Sequence, residues 1–252
     1  MPVVLEETGK LISAAKQLLE TDRALGGDFI PAGNSDMGTV DDSPTDEITP
    51  QQKAELLQQM DLQEVSNCRR CKLSETRKNT VFGEGNFDAD LVFVGEAPGA
   101  EEDATGKPFV GRAGELLTKM IAAMGLSRQD IFICNMLKCR PPGNRNPSPQ
   151  EIQCCWDFLV RQLQIIRPKV IVTLGNPATR GLLDTTKGIT RMRGHWQKLP
   201  DIGNGLGNID VMPTFHPAYL LRQYSTDNRA KVWSDLQAVM AKLDLQRPEK
   251  GS

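Results

Sequence analysis

Residues 90–95 read DLVFVG, a short apolar run that closes on glycine. A run this short, rich in Val and Phe and bounded by a turn residue, is the signature of a buried strand rather than a helix. Working outward, residues 114–124 carry helical spacing, residues 131–135 (IFICN) form a second strand, and a loop rich in proline and glycine follows. Ser148-Pro149-Gln150-Glu151 has the form of a capping box with proline at the first helical position, and opens a helix that runs to about Arg167. Thr49-Pro50-Gln51-Gln52 is a similar helix start upstream. Pro168 precedes a third strand over residues 170–175, a fourth ends near Phe215, and a last helix occupies residues 229–243. This alternation predicts an α/β fold: three layers, α/β/α, around a central, mainly parallel sheet. Ligands of such sheets bind beyond the carboxyl ends of the strands, where Gly95, Asn135, Gly175 and His216 fall.

The chain has 252 residues, 39% apolar and 25% charged, which is the range of globular proteins large enough to fold without disulfides. No stretch approaches the roughly 20 apolar residues needed to span a bilayer, and MPVVLEETGK lacks a basic segment followed by an apolar one. The expectation is a cytoplasmic protein with no membrane partner, associated with the nucleoid in a prokaryote. The net charge of −2 is unevenly divided: residues 1–49 hold ten acids and three bases (−7), residues 50–252 hold 27 bases and 22 acids (+5). The basic body permits nucleic-acid binding without demonstrating it. Three segments follow: an acidic extension, 1–49, with an amphipathic helix over 3–24 and then a linker; a body, 50–245; and a tail, 246–252. The extension carries no motif of its own, so any replication or repair partner would be met through it. A monomer is expected.

In a reducing compartment six cysteines suit metal ligation or core burial better than disulfides. Cys68 and Cys71 form a C-x2-C pair in a loop, and Cys139 follows the second strand. Of the adjacent Cys154 and Cys155, only one can face a site, because neighbouring helical residues point about 100° apart. The stripe Ile152, Cys155, Trp156, Leu159, Leu163 turns Cys155 inward and leaves Cys154 a bystander. Cys134, inside a strand, reads as a core thiol. Four thiolates at these positions fit either zinc or an iron–sulfur cluster.

Several blocks surround these cysteines: GEAPG-x2-ED from Gly95, GKPFVGRAG from Gly106, CNMLKCRPPGNRNPSPQE from Cys134 and HPAYLLR from His216. Together they resemble the family 4 uracil-DNA glycosylases, the iron–sulfur branch of the uracil-DNA glycosylase superfamily, over about residues 60–243. The resemblance implies a [4Fe–4S] cluster on Cys68, Cys71, Cys139 and Cys155. It implies a uracil pocket made by Gly95, Glu96, Ala97, Phe109, Asn135 and His216, and uracil-containing DNA as the substrate.

Each position makes chemical sense in that role. Phe109 offers a stacking face to an extruded base. The Asn135 amide matches the O4 acceptor and N3–H donor of uracil, a pattern that cytosine inverts. His216 can donate to O2, where negative charge gathers as the glycosidic bond breaks. A carboxylate near the sugar would stabilise the cation and orient water, with Glu96 and Glu102 both eligible. Arg112, Lys138, Arg140, Arg145 and Arg222 suit phosphates, and Leu220 or Leu221 suits the gap left by the flipped base. Two rival functions remain: a non-catalytic cluster-bearing DNA module, and the related branch that traps uracil DNA covalently through a histidine in the loop after the third cluster cysteine. That loop here, Arg140 to Asn146, holds no histidine.

Overall fold

Two helix starts legible in the sequence carry their caps. The Thr49 hydroxyl accepts from the Gln52 N–H at 3.3 Å while the Gln52 side chain accepts from the Thr49 N–H at 2.8 Å. Ser148 and Glu151 repeat the arrangement at 3.2 and 2.8 Å. The computed structural model describes residues 48–203 and 205–246. All of these belong to the second of two units into which the chain divides after Asp46. The helix expected over residues 3–24 and the tail beyond Gln246 lie outside the described residues.

In chain order the elements are α1 (Pro50–Met60), β1 (Glu84–Gly85), β2 (Leu91–Gly95), α2 (Ala100–Thr105), α3 (Arg112–Ala123), β3 (Phe132–Asn135) and α4 (Pro149–Ile166). After them come β4 (Val170–Leu174), α5 (Asn176–Leu183), α6 (Ile189–Met192), β5 (Gln197–Lys198), β6 (Asp210–Thr214), α7 (Pro217–Arg222) and α8 (Thr226–Lys242). The sheet order is β1-β3-β2-β4-β6-β5. The four inner strands are parallel and the two short edge strands antiparallel. The edge strands had no signal in the sequence, because two residues cannot display a period of two. Helix α8 begins three residues before its expected start, since Ser225 accepts from the Asn228 N–H and caps it there.

The pleat divides the core into two layers. Val92, Val94, Phe132, Cys134 and Ile171 face Leu57, Phe158, Leu159 and Leu182 from α1, α4 and α5. Leu91, Phe93, Ile133 and Val172 face Leu117, Ile121, Leu236 and Val239 from α3 and α8. This is the expected three-layer arrangement, and the fully buried strand runs reflect cover on both faces. Chain order runs from β2 to β3 on one side and from β4 to β6 on the other, which puts the topological switch point between β2 and β4. No described helix is long and apolar enough to cross a membrane.

Candidate active site and cysteine cage

The ends of β2, β3 and β6 meet around one cavity of about 250 Å³. Gly95 and Asn135 are partners in the sheet register, and Gly95 lies so close beneath the site that a Cβ there would sit 2.3 Å from Asn135 Oδ1 and 2.6 Å from the Phe109 ring. Glycine is therefore the residue that lets these two side chains share the floor. Glu96, Ala97, Phe109, Asn135 and His216 all line the cavity.

Phe109 holds a left-handed backbone, φ 52°. Its carbonyl lies over the start of α3, where a Cβ on Gly114 would come within 1.8 Å of it. Two clamps keep it there. Glu102 accepts from the Gly99 N–H at 3.0 Å with one oxygen, and from the Val110 and Gly111 N–H groups at 3.0 and 3.2 Å with the other. Arg128 donates to the Pro108 and Phe109 carbonyls at 2.7 and 3.2 Å and pairs with Glu84 at 3.1 Å. Glu102 thus spends both oxygens on loop amides. Glu96 faces the cavity, and burial pushes its carboxyl upward. Arg128 had no motif to reveal it in the sequence.

His216 caps α7, its Nδ1 accepting from the Ala218 N–H at 3.0 Å. The ring proton therefore sits on Nε2. Burial first, then the nearby Arg222 charge, push its pKa down to about 4 against the opposing pull of Glu102, so the imidazole is neutral at pH 7. Its ring centroid lies 5.6 Å from that of Phe109 at an interplanar angle of 31°. Asn135 is 1% exposed, and its Oδ1 is the one buried side-chain oxygen or nitrogen without a partner among the described residues.

Behind β3 lies a second cavity lined by Cys68, Cys71, Cys139, Cys154 and Cys155. Cys139 accepts from Arg77 at 3.3 Å and Cys155 from the Lys138 N–H at 3.2 Å. Burial pushes the Cys71 and Cys155 thiols up, and Cys139 up to about 11. No group of three or more His, Cys, Asp or Glu side chains among the described residues is arranged to hold a single metal ion. Cys134 is fully buried in the sheet core, as read from the sequence. Cys154, read there as a bystander, also lines the cage.

Two DNA-contact assignments need correction. Lys138 is 1% exposed, and its ammonium donates inward to the Asn135 carbonyl at 2.8 Å and to Gln162 at 2.5 Å, so it reaches no phosphate. Burial pushes its pKa down. Leu220 is 4% exposed and packs in the core with α3 and α8, whereas Leu221 is 39% exposed. A positive charge and an apolar side chain were visible in the sequence, but their direction was not. Arg112 and Arg222 are exposed; Arg140 holds Asn144 at 2.7 Å. Arg145 grips Glu151 through two bonds of 2.8 and 2.6 Å.

Fold and site together define a doubly wound α/β protein with a pocket at its strand ends lined by Glu96, Phe109, Asn135 and His216. Residues 82–237 match the Uracil DNA glycosylase superfamily. The chain is 49% identical over 177 residues to a Type-4 uracil-DNA glycosylase of Thermotoga maritima, covering 69% of this chain and 88% of that protein. It is 45% identical over 184 residues to the Type-4 enzyme of Archaeoglobus fulgidus (71% and 89% covered), and 29% identical over 185 residues to a Type-5 enzyme of Pyrobaculum aerophilum (61% and 79%). The chain belongs to the uracil-DNA glycosylase superfamily, and within it to the type-4 branch.

Proposed function

We propose how this chain, a DNA-repair uracil-DNA glycosylase, extrudes uracil from DNA, hydrolyses its N-glycosidic bond and leaves an abasic site. The observation that carries the assignment of roles is the orphaned Asn135 Oδ1. A buried acceptor without a partner is unfavourable by about 1–3 kcal/mol, and the N3–H of uracil supplies the missing donor while the Asn135 amide N–H meets O4. Cytosine offers an acceptor at N3 and leaves the same oxygen unpaired. Phe109 stacks on the base from a wall already in place.

Neutral His216 donates Nε2–H to uracil O2, a bond that strengthens as charge develops on the leaving base. A neutral donor is retained because its pKa of about 4 keeps the proton count fixed across the working range. Glu96 faces the sugar side as the carboxylate that stabilises the oxocarbenium-like carbon and orients water. Glu102 serves by anchoring the loop that carries Phe109. Arg112, Arg140, Arg145 and Arg222 bind phosphates, and Leu221 fills the vacated stack.

The five thiols of the cage are the donors a [4Fe–4S] cluster takes, and two of the sulfurs already accept N–H bonds. Cys68, Cys71, Cys139 and Cys155 would hold it. When bound, it supplies four iron–sulfur bonds that cross-link the 68–71 loop, the exit of β3 and α4. Base recognition and proton placement stay with the residues above. The loop from Arg140 to Asn146 has no imidazole to trap the sugar, which supports turnover. Incubating the protein with a uracil-containing oligonucleotide tests the reading: free uracil and an alkali-labile strand are expected, and intact base with an uncut strand would refute it.

A further inference from the structure

Among the described residues six large apolar side chains are exposed, and two of them, Leu221 (39%) and Tyr224 (74%), flank Arg222, which lines the mouth of the active-site cavity. Two residues separate them, so their Cα atoms lie at most about 11 Å apart, the span of about three stacked bases. Tyr224 is not loosely held despite its exposure. Arg229 donates to its hydroxyl at 3.1 Å and lies 5.7 Å from the ring centroid. Ser225, the cap of α8, fixes the backbone on the next residue. A tethered aromatic face turned to water beside a DNA-processing cleft has the character of a stacking platform.

We propose that Tyr224 stacks on a nucleobase left bare when uracil leaves the helix, so that Leu221 fills the gap and Tyr224 holds a base at its border. The inference rests on the uracil-DNA reading of the pocket. The base has two sources, the neighbour in the uracil strand or the partner base across the duplex, and both present the same π-face.

The test compares the full chain with its Tyr224→Ala and Tyr224→Phe variants, on single- and double-stranded uracil oligonucleotides. Uracil release is measured alongside the fluorescence of 2-aminopurine, placed next to or opposite a non-cleavable uracil analogue. Tyr224→Ala should lower kcat/KM about tenfold and abolish the fluorescence change seen with the parent, with Tyr224→Phe within about twofold of the parent. A loss on both substrates assigns the same-strand neighbour, and a loss on duplex alone assigns the partner base. Parental rate and fluorescence in Tyr224→Ala, with an active parent, would overturn the inference alone. So would Tyr224→Phe failing as badly as Tyr224→Ala, since the hydroxyl tie to Arg229 and not the ring would then matter. A parent that releases no uracil would overturn the glycosylase reading and this inference with it.

Discussion

The pocket and the cage lie on opposite sides of one short strand exit, four residues apart at Asn135 and Cys139, yet they are held in different ways. The pocket side chains are fixed by backbone. Gly95 leaves room beneath Asn135, Glu102 and Arg128 tie down the loop of Phe109, and an amide of α7 orients His216. The cage gathers thiols from three separated segments, with two N–H bonds to its sulfurs and burial that opposes their ionisation. A site built by the fold exists before its ligand arrives, whereas a site of converging buried thiols draws part of its order from what it binds. Damage to the pocket should therefore abolish chemistry and spare the fold, whereas damage to the cage should weaken the fold on which the chemistry depends.

The largest effect is expected at the cage. Thiolate-held metals bring small domains on the order of 10 kcal/mol of folding free energy. Cys155→Ala should yield colourless protein with less than the expected four irons per chain and a much lower Tm, while Cys154→Ala should stay brown. Iron analysis, absorbance near 400 nm and thermal melting read this out. Zinc in place of iron in anaerobically purified protein would contradict the cluster, and iron loss in Cys154→Ala would reassign the ligand on α4.

Next comes Asn135→Asp, which sets an acceptor against uracil O4. Uracil excision should fall on the order of 10⁴-fold with Tm nearly unchanged. Cytosine excision should rise relative to it, more so toward pH 5, where a protonated carboxyl can donate to N3. An unchanged uracil-to-cytosine ratio would pass base reading to the backbone around Glu96 and Phe109. Smaller again is His216→Ala: loss of one transition-state donor costs about 3 kcal/mol, roughly a hundredfold in single-turnover rate, with DNA affinity preserved. A parental rate in this variant would make His216 a structural cap.

The smallest effect concerns acid. The unfolded chain protonates His216 near 6.5 and the folded chain only near 4, so between those values the unfolded state binds more protons. The stabilisation is full above pH 6.5 and is lost as pH falls through this window. Lowering the pH from 6.5 to 5 should cost about 2 kcal/mol on this account, or roughly 4–8 °C in Tm. His216→Gln should melt with a flatter dependence on pH over the same range. Equal slopes in the two proteins would show that the imidazole is freely protonated in the fold.

Sequence made the scaffold legible wherever a signal was local. Strand runs such as DLVFVG, the Ser148 capping box and the cysteine spacing each state their structure within a few residues. What stayed hidden was direction and reach. Leu220 and Leu221 are neighbours of the same type, and the turn of a six-residue helix sends one into the core and leaves the other in water. Lys138 has the composition of a phosphate ligand and the position of a buried strut, because Gln162 waits for it on α4. Glu102 belongs to an acidic motif consistent with catalysis, but three amides across the loop claim its oxygens. Arg128 acts over twenty residues of separation through carbonyls that any sequence would offer.

The left-handed turn at Phe109 has a consequence for timing. Its conformational entropy is surrendered when the chain folds, so the arriving base meets a wall that loses no further freedom on contact. On the proposed assignment, uracil released from the sugar is still stacked on Phe109 and bonded to Asn135, so it has to break those contacts unaided before the next cycle begins.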